Sequence, residues 1–405
     1  MVQATDVRVG PEPGPVSIAR CSDYELEGLR VALAEVLAPL GGMSAFVKPG
    51  ERIGLKPNIL LPSSPETAIA THPLVVAAVA LAVKEAGGHP VVVESPGAGV
   101  LPLKTVKERV FRRAGYREAA DRYGFELSVE VDPQAVALPE GKTIHRVEVL
   151  GSMLRCDGII NLAKFKTHGF MIFTGATKNL FGVIPGLTKV GYHGKFADPL
   201  RFGGMLLDVA SFVRPRLSLV DGILGMEGKG PGTGGTPRHL GLLLAGTDTV
   251  AIDAVCCRIA GVDTSAVPVL AVARERGLWS GRAAEVHSVG VPVADLVLKD
   301  FAMPIKNVGA AGSGEPSFFG GMARSMLRNG FSPRPRPQAG PCTICGSCEQ
   351  ACPGQAIAMD KKARVARVDD EKCIRCYCCH EVCPNAAIEL QFTGMGRVVH
   401  GFKLV

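Results

Sequence analysis

Two cysteine motifs near the C-terminal end constrain the fold of this 405-residue chain more than any other feature. In each motif four cysteines are separated by two, two and three residues, and a proline follows the fourth. The first motif contains Cys342, Cys345, Cys348 and Cys352, and the second contains Cys373, Cys376, Cys379 and Cys383. This spacing is typical of thiolate ligands to iron–sulfur clusters, where the fourth cysteine of one motif binds the cluster of the other.

The exchange of fourth cysteines predicts two [4Fe–4S] clusters with crossed ligand sets. We expect one cluster on Cys342, Cys345, Cys348 and Cys383, and the other on Cys373, Cys376, Cys379 and Cys352. Zinc is the alternative, but zinc sites commonly pair their cysteines, whereas here three cysteines fall within seven residues twice. Residues 341–391 also resemble a two-cluster bacterial ferredoxin with a repeat of 31 residues, which implies a small α+β ferredoxin-like domain over residues 341–405.

Composition restricts the class of protein and its surroundings. Hydrophobic residues make up 47% of the chain and charged residues 20%, which excludes a disordered chain. Cysteines outside the two motifs have no regular spacing, and thiolate-bound clusters favour a reducing compartment. The N-terminal residues lack the pattern of a signal peptide, and the longest apolar run, residues 74–83, is too short to span a bilayer. We therefore expect a cytoplasmic protein without membrane insertion.

Strands alternate with helices over residues 1–300, which predicts an α/β domain with a mostly parallel sheet flanked by helices. The predicted strands cover residues 16–20, 52–56, 90–94, 125–131, 158–163, 217–220 and 240–245. The predicted helices cover residues 22–40, 73–86, 104–123, 199–213 and 248–260. Residues 301–340 are rich in proline, glycine and arginine, so we expect them to link the two domains.

Polar residues follow several predicted strands of the α/β domain, where parallel sheets bind their ligands. The predicted binding residues are Lys56, Asn58, Lys164, Lys166, Gly175, Lys178 and Asn179. Lys164 and Lys166 are predicted in a loop after a strand, and Gly175 at a helix start whose free N–H groups attract anions. Residues 151–201 hold seven Lys or Arg and two Asp on an otherwise near-neutral domain. This concentration predicts a small anionic ligand or substrate rather than nucleic acid.

Four residues near this basic segment are candidates for catalysis. Lys166 would stabilise negative charge on a substrate, and His168 is the candidate proton donor because an unperturbed histidine titrates near neutral pH. Asp221 and Glu227 are the alternative acids, and we expect the glycine-rich segment 222–235 to be a mobile loop that carries them over the site. The alternative is structural, since lysines beside loops are usually solvated and a single histidine is more often a packed residue.

The order of several motifs resembles the domain-of-unknown-function 362 family over about residues 15–300. The motifs are K-P-N (56–58), T-H-P (71–73), E-S-P-G (94–97), N-L-A-K-F-K-T-H (161–168), T-G-A-T-K-N-L-F-G (174–182), D-G-I-L-G-M-E-G-K-G-P (221–231) and the pair Asp248 and Asp253. The resemblance implies a domain that is often joined to a ferredoxin-like module, and it implies no mechanism.

The two domains together favour an iron–sulfur oxidoreductase that relays low-potential electrons to an anionic substrate or cofactor on the basic loops. The alternatives are an electron carrier or docking module that serves a redox partner protein, and a binding or maturation protein with structural clusters. A closed pocket at Lys164, Lys166 and Lys178 near a cluster would favour the enzyme, and a flat surface there would favour the carrier. The sequence specifies no organic cofactor.

Overall fold

A nine-stranded sheet lies at the centre of the α/β domain. The computed structural model of the protein describes residues 14–97, 103–304 and 333–391. The strands of this domain are β1 (Val16–Arg20), β2 (Arg52–Pro57), β3 (His89–Val92), β4 (Glu126–Leu127), β5 (Pro133–Ala137), β6 (Arg146–Leu150), β7 (Gly158–His168), β8 (Ile172–Thr174), β9 (Leu217–Gly228), β10 (Gly235–Gly246) and β11 (Ser288–Gly290). Strands β5 and β6 form a separate antiparallel pair.

The order of strands in the sheet is β11-β1-β10-β9-β7-β2-β3-β4, and β8 pairs with β7 outside this path. Strands β9, β7, β2, β3 and β4 run parallel to one another. Strand β10 runs antiparallel to both β9 and β1. The predicted mostly parallel sheet is therefore confirmed, and the carboxyl ends of β2, β3 and β7 meet at one edge, where ligands bind in such sheets.

Helices cover both faces of the sheet. They are α1 (Leu26–Leu37), α2 (Pro73–Glu85), α3 (Lys104–Arg113), α4 (Tyr116–Tyr123), α5 (Gly151–Leu154), α6 (Ala176–Asn179), α7 (Gly186–Lys195), α8 (Pro199–Val213), α9 (Thr249–Ile259) and α10 (Pro268–Glu275). Leu33 and Val79 from α1 and α2 belong to the core cluster of one face. Phe202, Val255 and Leu270 from α8, α9 and α10 belong to that of the other face. Burial of apolar side chains on both faces stabilises the domain.

Two predicted loops are strands in the structure. Residues 164–168 continue β7 because β8 folds back and pairs with them, in the register Lys166 to Thr174. Strand β9 continues to Gly228 because β10 pairs with it as far as Gly235, so the expected mobile loop over residues 222–235 is wrong. A sequence rich in glycine signals a loop, but here the ladder hydrogen bonds of neighbouring strands outweigh that local preference.

The C-terminal module comprises residues 333–391 of the described chain. Its elements are β12 (Arg334–Pro337), α11 (Ser347–Gln350), β13 (Ile357–Asp360), β14 (Val365–Val368), α12 (Cys378–Glu381) and β15 (Ile388–Gln391). A shift of 31 residues superimposes α11 on α12 and β13 on β15 in the sequence, as the repeat predicts. The predicted fold class, an α/β domain plus a small α+β module, is confirmed.

Both boundaries of the predicted linker shift in the structure. Phe301 is buried in the core of the α/β domain. Strand β12 pairs with β15, so Arg334–Pro337 belongs to the C-terminal module. The prolines of β12 are tolerated because, among the described strands, β15 alone pairs with it. Residues 305–332 of the predicted linker lie outside the described residues.

The C-terminal module packs directly on the α/β domain. Tyr377 and Leu390 are part of the larger core cluster of the α/β domain, and Val382 packs in a smaller cluster with Met226 of β9. The Thr233 hydroxyl donates a hydrogen bond to the backbone carbonyl of Cys383, with an Oγ1–O distance of 2.7 Å. The second cysteine motif is therefore held against the turn between β9 and β10.

Candidate active site

The thiols predicted to bind one cluster lie around one small cavity. Its lining includes Cys342, Cys345, Cys348 and Cys383, so the fourth cysteine of the second motif joins the first three of the other. In the second set, burial raises the pKa of Cys373, and the neighbouring Cys376 and Cys352 raise it further. Cys352 therefore lies near the second motif, which agrees with the crossed ligand sets.

The backbone around both cysteine motifs has the same special conformations. Ile344 and Arg375, which the 31-residue shift relates, have φ angles of 56° and 59°. The N–H groups of Ala356 and Ala387 donate hydrogen bonds to Cys352 Sγ and Cys383 Sγ over 3.2 Å and 3.1 Å. N–H···S bonds favour the thiolate form that binds iron. The donor set and its loops thus fit two [4Fe–4S] clusters, which exchange single electrons when bound.

A second cavity lies at the carboxyl-end edge of the sheet, with a volume of about 60 Å³. All seven predicted binding residues line it: Lys56, Asn58, Lys164, Lys166, Gly175, Lys178 and Asn179. Glu94, Ser95, Lys189, His193 and Glu381 also line it. Glu381 comes from α12 of the C-terminal module, between Cys379 and Cys383 in the sequence. The structure therefore places a residue of the cluster-binding helix in the wall of the basic cavity.

Two of the cavity lysines form ion pairs inside the protein. Lys56 Nζ donates to a carboxylate oxygen of Glu94, and both side chains are buried. Lys164 Nζ donates to Asp221 Oδ2 over 2.8 Å and to the Tyr24 hydroxyl over 3.1 Å. A buried charge needs such a partner, because desolvation of an unpaired charge costs several kcal/mol.

Amide side chains hold the next lysine in place. Lys166 Nζ donates to Asn58 Oδ1 over 2.7 Å and to the backbone carbonyl of Ile69 over 2.9 Å. Asn58 Nδ2 in turn donates to Asn179 Oδ1, and Asn179 Nδ2 donates to the carbonyl of Lys56. This network fixes Lys166 without neutralising its charge, and burial together with nearby Lys178 lowers the pKa of Lys166 well below its usual value.

Lys178 and Lys189 complete the basic wall of the cavity. Within the described chain no hydrogen bond or ion pair of Lys178 Nζ is found, and the atom lies 5.9 Å from the ring centroid of Phe181. Burial lowers the pKa of Lys178 although Glu381 raises it in part. Lys189 Nζ donates to the carbonyls of Ser95 and Pro96, and burial lowers the pKa of Lys189 to about 7. Both lysines therefore favour an anion that would restore their charged forms.

Glu381 and His168 meet between the two domains. Glu381 Oε1 and His168 Nε2 lie 3.4 Å apart, and neither atom has a hydrogen-bond partner among the described residues. The backbone N–H groups of Phe170 and Met171 donate to His168 Nδ1, which assigns the proton to Nε2. Burial raises the pKa of Glu381 to about 7. The carboxyl group is thus the acidic group of the cavity wall with an unbonded oxygen.

The titration range expected for His168 as a proton donor does not hold in the structure. His168 is fully buried, and burial followed by the positive charge of Lys178 lowers its pKa well below the usual value. A neutral imidazole is a poor acid at pH 7. His168 is not among the residues that line the cavity, and it borders that space through Glu381.

The two alternative acids are also occupied. Asp221 accepts hydrogen bonds from Tyr24, Lys164 and the N–H of His72. Glu227 lies in β9, where its carboxylate accepts from the N–H of Ala302. Neither residue lines the cavity. The segment predicted to carry them over the site as a loop is a strand, and this strand holds both side chains in fixed positions.

The predicted helix start at Gly175 is not free to bind an anion. Helix α6 has four residues, and the carboxylate of Asp253 accepts hydrogen bonds from the N–H groups of Ala176 and Thr177 over 2.6 Å and 3.1 Å. A side chain on Gly175 would overlap Asp253, so the glycine is required for this close approach. The carboxylate of Asp253 thus occupies the place at this turn where an anionic ligand was expected to bind.

The second cysteine motif packs against the turn between β9 and β10. A methyl group on Gly232 would overlap the backbone carbonyl of Glu381, and one on Gly234 would come within 2.9 Å of the His380 ring. The His380 Nε2 atom lies 3.2 Å from the carbonyl of Lys229. The glycines of this segment therefore allow two backbones to approach, and the segment does not cradle a phosphate.

Several residues of the site were not predicted from the sequence. Glu381 was hidden inside a cysteine motif, and its one signal is that the repeat places Gln350 at the matching position of the first motif. Lys189 lies far from the strand ends in the sequence, and no local pattern distinguishes it, or Tyr24 four residues after β1, from surface residues. Their positions follow from the packing of α7 and of the segment before α1.

The fold and the site define a protein with a ferredoxin-type cluster module on an α/β domain with a buried basic cavity. The chain belongs to the family described as domain of unknown function (DUF362), whose model matches residues 53–258. The 4Fe-4S dicluster domain matches residues 341–387. The family and the iron–sulfur module expected from the sequence are therefore confirmed.

Known proteins that are similar to this chain include one relative in sequence and one in structure. The thylakoid-associated protein sll1697 of Synechocystis is 36% identical over 299 residues, which cover 71% of this chain and 87% of that protein. A structure of the lactate racemase apoprotein from Thermoanaerobacterium thermosaccharolyticum is 14% identical, with a TM-score of 0.34 over 51% of this chain and 50% of that one. That score is too low to carry an argument. In the part of the chain that the structure describes, every helix is too short or too polar to cross a membrane.

Proposed function

We propose that the protein is an iron–sulfur oxidoreductase that delivers low-potential electrons to an anionic substrate or cofactor bound in the basic cavity. One observation carries the proposal: Glu381, two residues from Cys379 and two from Cys383, lines the same cavity as five lysines of the α/β domain. A free carrier needs an exposed cluster edge, and it does not need a ligand-sized cavity against a cluster ligand. A cavity lined by Lys164, Lys166 and Lys178, in place of a flat surface, therefore supports the enzyme over the carrier.

The residues of the cavity suit reduction of an anion. Lys178 and Lys166 would bind the negative group and stabilise the additional negative charge that arrives with an electron. Glu381 would hold the proton nearest to the ligand, because the residue lines the cavity and burial raises its pKa to about 7. His168 would orient the Glu381 carboxyl group through Nε2. The clusters supply electrons one at a time when bound.

The exposed first motif suits the entry of electrons. Cys345 is exposed, whereas Cys376 and Cys379 of the second motif are buried. A redox partner protein would therefore dock beside the first motif, and the ligand would bind beside the second. This arrangement assigns a different role to each motif within one module.

Anaerobic reoxidation tests the proposal. The full-length protein is reduced with dithionite, freed of excess reductant and mixed with fractionated anionic metabolites, while the visible absorbance of the clusters is recorded. We expect one fraction to reoxidise the wild type and to act at least about tenfold more slowly on Lys178→Gln, since a charge-assisted bond contributes about 1.5–3 kcal/mol. Reoxidation by proteins alone, at the same rate in both forms, would establish the carrier instead.

A further inference from the structure

The cavity contains more positive than negative groups after its internal pairs are counted. Lys56 and Lys164 are paired with Glu94 and Asp221. The other three cavity lysines, Lys166, Lys178 and Lys189, have no carboxylate within 4.0 Å among the described residues. Glu381 is the one cavity carboxylate without a lysine partner in that part of the chain. Three lysines without a carboxylate partner therefore face one carboxyl group without a lysine partner.

The hydrogen-bond donors show the same imbalance. An ammonium group has three N–H donors. Two partners accept from Lys166, and two accept from Lys189, so each retains one donor. Lys178 has all three donors without an acceptor in the described structure. His193 lines the cavity with an unbonded Nδ1. The cavity therefore offers several donors to a ligand that is rich in acceptor oxygens.

The remaining negative group near the cavity does not neutralise these lysines. Asp253 behind Gly175 has both carboxylate oxygens bonded to backbone N–H groups of the next turn. Its charge is thereby compensated by the peptide dipoles, as at other helix starts. Lys166, Lys178 and Lys189 are thus left without a carboxylate of the described chain and can bind an anionic ligand.

We propose that the ligand of this cavity is a compact dianion, such as a short dicarboxylate or a phosphate- or sulfate-type group. This inference rests on the proposed function in that both use the same cavity. The cavity volume of about 60 Å³ excludes a large aromatic cofactor from its interior. A dianion can accept hydrogen bonds from Lys166, Lys178 and Lys189 together, whereas a monoanion would leave more of these buried donors unpaired, which is unfavourable.

Calorimetric titration of the oxidised, cluster-loaded full-length protein tests the charge of the ligand. The probes are acetate as the monoanion and malonate, oxalate, sulfate and inorganic phosphate as compact di- or multivalent anions, at constant ionic strength. We expect at least one of the latter to bind about tenfold or more tightly than acetate, because it makes an additional charge-assisted contact. Preference for the two dicarboxylates indicates a dicarboxylate ligand, and preference for sulfate or phosphate indicates an ester of that type.

Lys178→Gln should abolish this charge preference, and Lys104→Gln, which changes an exposed lysine at the start of α3, should retain it. Circular dichroism and iron content show whether each variant is folded and loaded. Equal affinities for acetate and the dianions, or no saturable binding of any probe, would overturn the inference. The calorimetric experiment contains no electron donor, so its outcome is independent of the reoxidation experiment. Binding of a dianion without reoxidation would refute electron delivery to the cavity and leave the inference about the ligand intact.

Discussion

The two cysteine motifs are copies in sequence but differ in their surroundings. The first motif is mostly half-buried or exposed, whereas Arg375 to Cys383 are buried against the α/β domain. Three of the seven positions at which the copies differ are central to docking: Tyr377, His380 and Glu381 stand where the first motif has Gly346, Glu349 and Gln350. Each of the three has a contact outside its own motif. A duplicated module has thus specialised one copy for contact with the α/β domain while the other copy remains open to solvent.

The altered positions have distinct physical roles. The Tyr377 hydroxyl donates to the carbonyl of Pro333 over 3.1 Å, and its ring is buried in the core of the α/β domain. His380 bridges the carbonyls of Lys229 and Ile388. Glu381 reaches the cavity. Tyr377 has a φ angle of 61°, a conformation that costs a tyrosine more than the glycine of the first motif. The buried contacts of the ring offset that cost.

Removal of each crossing cysteine is the strongest test of this comparison. Cys352→Ser should destroy the cluster of the docked motif, and Cys383→Ser the cluster of the exposed motif, although each residue lies in the opposite motif. Iron content should fall from about eight to about four atoms per chain in both variants, because each site holds one [4Fe–4S] cluster. Electron paramagnetic resonance of the reduced proteins identifies the surviving cluster.

Only Cys383→Ser should leave a signal that responds to a dianion in the cavity, because its surviving cluster is the one beside Glu381. If Cys352→Ser instead retains the ligand-sensitive signal, the crossing assigned to the two motifs is wrong. Variants that lose both clusters would be compared with Cys378→Ser, which changes a cysteine outside the predicted ligand sets and should retain about eight iron atoms.

Gly232→Ala should separate the docked motif from the cavity without changing a cluster ligand. The added methyl group overlaps the backbone of Glu381, and overpacking of this kind costs about 1–3 kcal/mol. We expect ligand-dependent reoxidation to fall about tenfold or more, with iron content unchanged. Gly340→Ala is the matched control, because a methyl group there meets no atom within 4 Å. Equal rates in the two variants would show that the contact at Gly232 does not position the second motif.

The pH dependence of sulfate binding separates the α/β wall from the docked motif. The pKa of Lys189 is lowered to about 7 by burial, so the residue gains a positive charge as the pH falls through 7. Sulfate keeps its charge in this range, and its affinity should therefore increase up to about tenfold between pH 8 and pH 6 for each such group. Lys56, Lys178 and Glu94 face Lys189 in the cavity, and protonation of Glu381 or Asp253, both with a pKa raised to about 7, acts in the same direction.

Lys189→Met should reduce this pH dependence. Glu381→Gln measures the part of the pH dependence that comes from the second motif. Sulfate affinity that increases with pH in the wild type would contradict the expected direction. A dependence that is unchanged in Lys189→Met would assign the titration to the other groups of the cavity. Binding of acetate in the same series controls for general charge effects on the protein.

Sequence patterns predicted the helices and strands that interactions between neighbouring residues determine. Helices α2 and α8 and the strand beginning at Arg52 were predicted, because short-range geometry fixes them. The seven predicted binding residues also lie together in one cavity, since parallel strands place their carboxyl ends at one edge. The structure differs where distant strands pair: β7 and β9 continue through the predicted loops because β8 and β10 supply hydrogen bonds that no local pattern shows.

The same distinction explains the residues of the site. Asp221 and His168 were predicted to be catalytic, but only the tertiary structure shows that their hydrogen bonds are taken up by Tyr24 and by the backbone after His168. Glu381 was missed because its role depends on the docking of one domain on another. A titration range taken from an isolated side chain failed for His168, since burial changed it.

The hydrogen bond between Thr233 and Cys383 should give the smallest effect, and it measures what docking contributes to stability. Thr233→Val removes the donor to a half-buried carbonyl, which should lower the free energy of unfolding by about 0.5–1.5 kcal/mol. The matched variant on the open side is Asn385→Ala, which removes an exposed bond of 2.8 Å to Thr343. That change should cost less than about 0.5 kcal/mol, because water replaces the lost partner at the surface. Anaerobic urea unfolding, followed by cluster absorbance and circular dichroism, compares the two variants. If both lose the same stability, the second motif is no more firmly held than the first, and the contrast between a docked and an open copy would rest on the apolar contacts of Tyr377 and Val382 alone.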